Sequence, residues 1–259
     1  MSGGGGSGSS SSSSSSSRKG VRIGVLSVQG DVAENVAAVS SALKAPRGFE
    51  DDAVLPVKTA GEIARLDGLV IPGGESTTIG KLSAAGGVLD AIRARVSGDG
   101  MPILGICAGL IMLARSADDR TVGRLDGQSL LGVLDVEVQR NAFGRQRQSF
   151  ETKLDIRPLA ISNFKGVFIR APVVCGTGPG VEVLCELPPG VGGGGDGDGG
   201  SGDGDNGDTA PDAGGSGPQR RIVAVRKGDI IGTAFHPELS GDLAIHRHFV
   251  DAVRRKRRG

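Results

Sequence analysis

The first half of the chain alternates between short apolar runs and longer segments whose apolar residues recur at helical spacing. The runs predict strands at Val21–Val28, Ala53–Val57, Leu69–Ile71 and Ile103–Ile106. The spaced segments predict helices. The first has a stripe of apolar residues from Val32 to Leu43 and is capped by Asp31. The others are a helical turn at Ile63–Leu66, a helix over Thr77–Val96 that is interrupted near Gly86, and a helix over Ala108–Arg115. This alternation predicts parallel strands joined by right-handed crossovers.

The second half of the chain is richer in short strands, some of them expected in hairpins. The predicted strands are Val133–Gln139, Phe150–Ile156, Gly166–Ile169, Val181–Glu186, Arg221–Val225 and Ile230–Phe235. A last helix begins near Asp242 and continues into a basic tail. We therefore predict an α/β fold with an open, mostly parallel, flavodoxin-like sheet, helices on both faces, and additional short antiparallel strands in the second half.

Two low-complexity segments depart from this pattern. Residues 2–17 contain only Ser and Gly, and residues 190–217 are half Gly with six Asp. Because neither segment has enough apolar side chains to bury, we predict disorder in both. The expected organisation is a Ser/Gly tail at 1–20 and a single domain at 21–259, with a disordered Gly/Asp-rich insertion at about 189–219. We expect the insertion to replace the hairpin turn before the strand Arg221–Val225.

Composition excludes several classes of protein. Outside the acidic insertion and the tail Arg254–Arg258 the charges nearly balance, so no basic face for nucleic acid is expected. The longest uncharged apolar run, Met101–Ala114, is shorter than the ~20 residues of a membrane helix. Three cysteines and no secretory signal near Met1 indicate a reducing, cytoplasmic location. We interpret the basic tail as a solvated helix end, with a nuclear targeting signal as the alternative.

The segment around Cys107 carries the clearest chemical signal. Cys107 lies between a predicted strand and a predicted helix, with Gly105 and Gly109 two residues away on either side, which is the spacing of a nucleophile elbow. The helix N-terminus stabilises a thiolate, and its backbone N–H groups can stabilise an oxyanion. A small buried core residue is the alternative interpretation of Cys107.

A candidate base lies at the end of another predicted strand. His236 is followed by Pro237 and Glu238, so one segment supplies both an imidazole and a carboxylate that can orient it. The alternative is a structural histidine. His246 and His248 lie on the last helix, which we expect to be a surface helix, and we assign them structural or solvated roles.

A third strand end carries the glycine turn Gly73-Gly74 ahead of a helix. Ligands of open α/β sheets bind beyond the carboxyl ends of the strands, and this turn can direct an N–H group at an oxyanion. Alternatively, Glu75 or Ser76 simply caps the helix. Since the three strand ends converge in a parallel sheet, the residues together predict an acyl-transfer site.

Cys175 and Cys185 have no metal-ligand spacing with any His, so no metal is expected.

Longer stretches make a resemblance specific. The motifs are PGGESTTI at Pro72–Ile79, CAGLIMLA at Cys107–Ala114, RNAFGRQ at Arg140–Gln146, SFE at Ser149–Glu151, GVFIRAP at Gly166–Pro172 and FHPEL at Phe235–Leu239, with IGVLSVQGDVAEN at Ile23–Asn35. The chain resembles the class I, triad-type glutamine amidotransferases and, among them, the glutaminase subunits of pyridoxal 5′-phosphate synthase. The resemblance runs from Val21 to the last helix and is interrupted only by the insertion. One departure is Ile106, where this family usually has Thr.

The resemblance implies a role for each motif residue. Cys107 attacks the side-chain amide of glutamine, His236 transfers protons, and Glu238 orients His236. Backbone N–H groups of Gly74 and Ala108 form the oxyanion hole. The implied glutamine-binding residues are Gly74, Glu75, Ser76, Arg140, Ile169 and Arg170. Surface ion pairs are the alternative for the two arginines, and plain strand core is the alternative for Ile169.

The resemblance also implies a partner and a product. Ammonia passes to a (β/α)8-barrel synthase subunit that assembles as a dodecamer and makes pyridoxal 5′-phosphate, so the chain itself needs no cofactor. The resemblance further implies that the isolated glutaminase subunit is weakly active and that docking to the synthase subunit activates it. This behaviour suggests that rearrangement of the Gly73–Gly74 peptide completes the oxyanion hole. The alternatives are a non-catalytic scaffold or regulatory subunit of the same complex, a glutaminase of another pathway, and a flavodoxin-like redox protein with a cysteine elbow.

Overall fold

The computed structural model describes residues 20–44, 51–119, 123–124, 128–143, 149–188, 190–191 and 221–259. The strands are β1 (Arg22–Leu26), β2 (Ala53–Val57), β3 (Gly68–Ile71), β4 (Ile103–Ile106), β5 (Ala114–Asp119), β6 (Gly123–Arg124), β7 (Leu134–Arg140), β8 (Ser149–Ile156), β9 (Ile161–Ile169), β10 (Val173–Thr177), β11 (Glu182–Glu186), β12 (Ile222–Lys227) and β13 (Ile230–Thr233). The helices are α1 (Val32–Lys44), α2 (Ala60–Ile63), α3 (Ser76–Ala85), α4 (Val88–Asp99), α5 (Ala108–Leu113) and α6 (Ala244–Arg258).

The first half forms the parallel part of one large sheet. The order β2-β1-β3-β4-β13 is parallel throughout, which is the strand order of flavodoxin-like folds. All four residues of β3 and of β4 are buried, because helices cover the central strands of such a sheet on both faces. The predicted α/β class is confirmed, and the carboxyl ends of β1, β3, β4 and β13 lie along one edge.

The second half extends the sheet mainly with antiparallel pairs, although β5 and β7 pair in parallel. From β13 the order continues β12-β10-β7-β5-β6, with β11 pairing to β12 off this path, while β8 and β9 form a separate two-stranded sheet. Several details of the prediction were wrong, including the missed strand β6 and the start of β9, which lies at Ile161 rather than at Gly166. The predicted helix over Ala108–Arg115 ends at Leu113, because the chain turns extended at Ala114 and pairs with β7. The short strand β10 was also missed, since Pro172 and Gly176 obscure its pattern.

The two low-complexity segments lie almost wholly outside the described residues. The strands on either side of the insertion are described, and β11 pairs antiparallel with β12, with Glu186 opposite Ile222. The prediction that the insertion connects two hairpin strands is therefore confirmed. None of the helices in the described ranges is long and apolar enough to cross a membrane.

The C-terminal helix α6 packs more deeply than predicted. Its apolar face, including Phe249 and Val253, is buried, and His246 is buried with it rather than lying on a solvated surface. A Cβ on Gly68 would lie 2.4 Å from a Val253 methyl, so β3 and α6 are in close contact. The basic tail is also anchored: Arg254, Arg255 and Arg257 form ion pairs with Asp52, Asp229 and Asp67. The tail is thus the end of a helix, as interpreted, but Arg254 is nearly buried rather than solvated.

A cluster of five phenylalanines joins the β8–β9 hairpin to the main sheet. Phe150 and Phe168 stack with their centroids 4.5 Å apart, and Phe168 also contacts Phe143 and Phe235 at 6.0 and 5.6 Å. Phe164 packs against Phe235 at 5.7 Å. Such rings bury large areas and fix relative orientation. Because Phe235 immediately precedes His236, the hairpin is packed directly against the candidate catalytic segment.

Candidate active site

A cavity of about 400 Å³ opens over the carboxyl ends of the parallel strands. Its lining contains these predicted residues: Gly74, Glu75, Ser76, Cys107, Ala108, Arg140, Ile169, Arg170 and His236. Glu238 lies behind His236, with its side chain completely buried. The structure therefore brings together every residue that the sequence singled out for chemistry or for glutamine binding.

Cys107 occupies a strained turn between β4 and α5. Its φ of 50° and ψ of −101° are unfavourable for a residue with a side chain. A Cβ on Gly109 would lie 2.0 Å from the carbonyl oxygen of Ile71, and one on Gly105 would lie 2.4 Å from a Leu113 methyl. The flanking glycines thus allow the strand and helix to approach each other, as the elbow spacing predicted.

The imidazole of His236 is held on both sides. Nδ1 lies 2.8 Å from Oε1 of Glu238, and the ring also interacts with the side chain of Cys107. Its backbone N–H donates to the carbonyl oxygen of Val167 at 2.8 Å, which ties the histidine to the hairpin strand β9. Burial alone would lower the pKa of His236, but the hydrogen bonds and negative charges of Cys107 and Glu238 outweigh it and raise that pKa to about 10. The favoured form is an imidazolium beside a thiol-bearing residue.

The loops after β1 and β3 are clamped together beside the nucleophile. The backbone N–H of Asp31 donates to the carbonyl oxygen of Gly73 at 3.1 Å, and Oε1 of Gln29 accepts from the N–H of Glu75 at 2.8 Å. Gly74 has a φ of 154°, and a Cβ there would lie 2.5 Å from Oε1 of Gln29, so the turn requires glycine. Sequence reasoning did not assign Gln29 or Asp31 to the site. Their position just after β1, at the same edge of the sheet, is the sequence feature that could have identified them as site residues.

Two of the predicted glutamine-binding residues are paired with each other. Oε1 of Glu75 lies 3.3 Å from Arg140, which also donates to Oγ1 of Thr77 at 3.2 Å. Glu75 further accepts from the N–H groups of Thr77 and Thr78, so it is also the cap of α3. Partial burial would raise the pKa of Glu75, but the hydrogen bonds from Thr78 and Thr77 lower it. Glu75 therefore both caps helix α3 and lines the cavity.

One buried hydroxyl and two strained backbone positions belong to the cavity lining. Ser76 is buried, and its hydroxyl has no hydrogen-bond partner within the described residues. Arg170 is exposed and adopts φ 42°, as Asn141 adopts φ 49° in the same lining. The carbonyl oxygen of Ile169 lies 3.8 Å from Sγ of Cys107. Strained residues and an unpaired buried hydroxyl in one cavity are typical of a binding site.

The same residues bear on metal binding. Asp31, His236 and Glu238 each place one ligand-type atom within 4.8 Å of the others. Nδ1 of His236 already hydrogen-bonds Glu238, so we assign this group to control of the imidazole rather than to a metal ion.

A second cavity, of about 560 Å³, lies between β8 and β11 and is lined in part by Cys185. Burial raises the pKa of the Cys185 thiol to about 11, which makes it a poor nucleophile at neutral pH.

Comparison with known proteins gives consistent matches. The sequence model of a family described as the SNO glutamine amidotransferase family matches residues 25–193. The chain is 45% identical over 233 residues to pyridoxal 5′-phosphate synthase subunit PdxT of Nitrosopumilus maritimus (strain SCM1), covering 90% of this chain and 97% of that protein. It is 46% identical over 232 residues to the protein of the same name from Acidothermus cellulolyticus (strain ATCC 43068 / DSM 8971 / 11B), covering 90% and 93%.

Solved structures agree with the sequence matches. A crystal structure described as a glutamine amidotransferase has a TM-score of 0.67 and 37% identity, and it covers 89% of this chain and 98% of that one. A glutamine amidotransferase structure from Thermotoga maritima, at 11% identity and a TM-score of 0.50, shares the fold alone.

Proposed function

Because the chain belongs to the SNO glutamine amidotransferase family, we propose that it is the glutaminase subunit of a pyridoxal 5′-phosphate synthase. It hydrolyses L-glutamine to glutamate and ammonia and passes the ammonia to the synthase subunit. The observation that carries the catalytic part is the position of His236, which hydrogen-bonds Glu238 and interacts with Cys107 at the base of a cavity that also contains the unpaired Ser76 hydroxyl.

The first half-reaction releases ammonia. The thiolate of Cys107 attacks the side-chain amide carbon of glutamine, and the tetrahedral oxyanion accepts hydrogen bonds from backbone N–H groups of Ala108 and Gly74. When the carbon–nitrogen bond breaks, the imidazolium of His236 gives its proton to the leaving nitrogen. The products of this step are ammonia and a thioester between Cys107 and the glutamyl group.

The second half-reaction regenerates the enzyme. The now neutral imidazole of His236 removes a proton from water, and the resulting hydroxide attacks the thioester carbon. The carbon–sulfur bond breaks, glutamate leaves, and the imidazolium–thiolate pair is restored. Glu238 keeps the ring in one orientation through both steps, because its buried carboxylate holds Nδ1 at 2.8 Å.

Glutamine is held by the charged and polar lining of the cavity. The planar guanidinium groups of Arg140 and Arg170 suit its α-carboxylate, and Glu75 suits its ammonium group. The buried Ser76 hydroxyl and the Ile169 carbonyl supply further hydrogen bonds. Two observations support these assignments. Arg140 and Glu75 already lie against each other as an ion pair, and Arg170 is exposed at the mouth of the cavity.

We further propose that docking of the synthase subunit completes the oxyanion hole. The carbonyl oxygen of Gly73 is held by the N–H of Asp31, and a peptide has its N–H on the side opposite its carbonyl. Turning the Gly73–Gly74 peptide towards Cys107 requires that this hydrogen bond open. Glycine at both positions lowers the barrier to such a turn, since neither residue has a Cβ.

The finer features of the complex are part of the proposal. The partner is a (β/α)8-barrel subunit that forms a dodecameric core, and the complex works in the cytoplasm, which fits three free cysteines. Pyridoxal 5′-phosphate is its product, so the glutaminase needs no cofactor of its own. The single domain at 21–259, with its tail and insertion, is the unit that docks.

The decisive experiment measures ammonia release from glutamine by the full chain mixed with a purified synthase subunit. Cys107→Ala is expected to abolish release, while the matched control Cys175→Ala, a free cysteine outside the cavity, keeps it. Complex formation is followed in parallel by sedimentation. An intact complex that releases no ammonia overturns the enzyme proposal in favour of a scaffold. Release that is equally fast without the synthase subunit indicates a glutaminase of another pathway.

A further inference from the structure

The catalytic imidazole has a second carboxylate beside it. Oδ2 of Asp31 lies 3.7 Å from Nδ1 of His236, the same nitrogen that Glu238 binds at 2.8 Å. Asp31 belongs to the loop between β1 and α1, so it approaches the ring from a different strand end than Glu238. We propose that Asp31 is a positioning residue that stabilises the imidazolium form of His236 from the open side of the cavity. This inference rests on the proposed glutaminase function and adds a residue to it.

The close approach of Asp31 and His236 depends on Gly73. A Cβ on Gly73 would lie 2.5 Å from Cε1 of His236 and 2.8 Å from Oδ2 of Asp31, so the carboxylate and the ring edge meet over a bare Cα. The backbone of Asp31 is also tied to this glycine by the hydrogen bond from its N–H to the Gly73 carbonyl. The same residue therefore contacts the imidazole through its side chain and the oxyanion loop through its backbone.

The two carboxylates beside His236 have different environments. The side chain of Glu238 is completely buried, whereas that of Asp31 is 46% exposed. Solvent screens the Asp31 charge, and at this distance its attraction corresponds to about half to one pKa unit on the imidazole. Asp31 directly precedes α1, where the N-terminal end of a helix favours a negative charge. Its effect is therefore a tuning of the base, while Glu238 fixes the ring.

Other charges face His236 and set the background for this effect. Cys107 is on the turn before α5, and Glu238 is on the same segment as His236. Among the residues that the structure describes, the cations that line the cavity are Arg140 and Arg170, and Arg140 is ion-paired with Glu75. Neutralising Asp31 leaves all of these in place.

The test is a titration of His236 in the full chain by NMR of histidine ring Cε1–H signals. Asp31→Asn keeps the shape and the backbone N–H but removes the charge, and Glu34→Gln removes an exposed charge from the first turn of the following helix α1 as a matched control. The chain has only three histidines, and His236→Ala identifies the signal. We expect Asp31→Asn to lower the midpoint of His236 by about half to one unit and Glu34→Gln to leave it unchanged.

Activity provides the second measurement. With the synthase subunit, Asp31→Asn is expected to move the alkaline limb of the kcat/KM profile to lower pH, with KM for glutamine nearly unchanged. A His236 midpoint that is the same in Asp31→Asn and wild type, with the His246 and His248 signals unperturbed, overturns the proposal. The titration does not depend on turnover, so loss of the glutaminase proposal and loss of the Asp31 proposal give different results.

Discussion

Arg140 lies 3.3 Å from Glu75, and this ion pair joins the end of β7 to the start of α3 across the mouth of the cavity. The Arg140 side chain is only 17% exposed, so the pair is better shielded than a surface salt bridge. Arg140 also donates a hydrogen bond to the Thr77 hydroxyl, and Glu75 accepts one from the Thr77 backbone N–H. These bonds fix the relative position of the two side chains before substrate arrives. The pair therefore presents a preformed cation and anion to an amino-acid substrate.

Arg140→Gln is expected to weaken glutamine binding more than it slows chemistry. The variant loses the fork that pairs with a carboxylate, while Cys107 and His236 are untouched. We expect KM for glutamine to rise about 10- to 100-fold with kcat changed by a few-fold at most, consistent with the ~1.5–3 kcal/mol of a charged hydrogen bond. Arg115→Gln is the control, because its exposed ion pairs to Asp135 and Glu137 lie outside the cavity. A fall in kcat with constant KM would assign Arg140 to the chemical step.

The elbow glycine Gly109 is expected to tolerate no side chain. In Gly109→Ala the new Cβ would lie 2.0 Å from a backbone carbonyl of β3, which cannot move without distorting the sheet. We expect a loss of about 3 kcal/mol or more in the free energy of unfolding, or failure to fold. Gly98→Ala is the matched control, since Gly98 is an exposed residue of α4 with no atom within 4 Å of the added carbon. That variant is expected to gain about 0.5–1 kcal/mol from helix propensity. Urea unfolding of both variants checks the contrast.

Arg254 is expected to matter far more for stability than its neighbours in the basic tail. It pairs with Asp52 at 2.7 Å, and the two side chains are only 11% and 5% exposed. Arg254→Ala leaves the Asp52 charge buried, which typically costs about 3–5 kcal/mol. Arg255→Ala removes an exposed pair at 3.5 Å from Asp229 and is expected to cost less than about 1 kcal/mol. Equal unfolding midpoints for the two variants would contradict an anchoring role for Arg254.

Much of the site followed from the sequence because it depends on local rules. The spacing around Cys107 reflects close approaches within and beside one strand-turn-helix unit: Gly105 faces Leu113 and Gly109 of that unit, and Gly109 faces Ile71 of the neighbouring strand β3. Adjacent positions in His236-Pro237-Glu238 likewise fix the imidazole–carboxylate pair within one short 3-10 turn. The convergence of these units at one sheet edge followed from parallel topology alone.

The features that were missed depend on tertiary contacts. Ala114 was assigned to a helix because the apolar run continues to it, but pairing with β7 overrides helix propensity there. Asp31 has a sequence position typical of a helix cap, and only the folded loop places its carboxylate beside His236. His246 follows the same logic, since the apolar positions of α6 do not by themselves show that a polar residue between them is also buried.

The buried His246 is expected to make the fold sensitive to mild acid. Neither ring nitrogen has a hydrogen-bond partner among the described residues, and burial lowers the pKa of His246 from its ordinary 6.5 to about 4. Between these values the unfolded chain binds a proton that the folded chain does not. Stability therefore falls as pH drops from 6.5 towards 4, by a total of about 3 kcal/mol.

Urea unfolding between pH 4 and pH 7.5 measures this effect. His246→Met replaces the ring with an apolar side chain and is expected to remove most of the acid-sensitive part of the stability curve while remaining folded at neutral pH. His248→Gln is the control, because His248 is only half-buried and lies 3.4 Å from Arg226, although burial and that positive charge also lower its pKa. His236 acts in a separate window, since its raised pKa makes its contribution complete below pH 6.5 and lost as pH rises through about 10. An acid limb that is identical in wild type and His246→Met would show that other groups, such as carboxylates, control the loss.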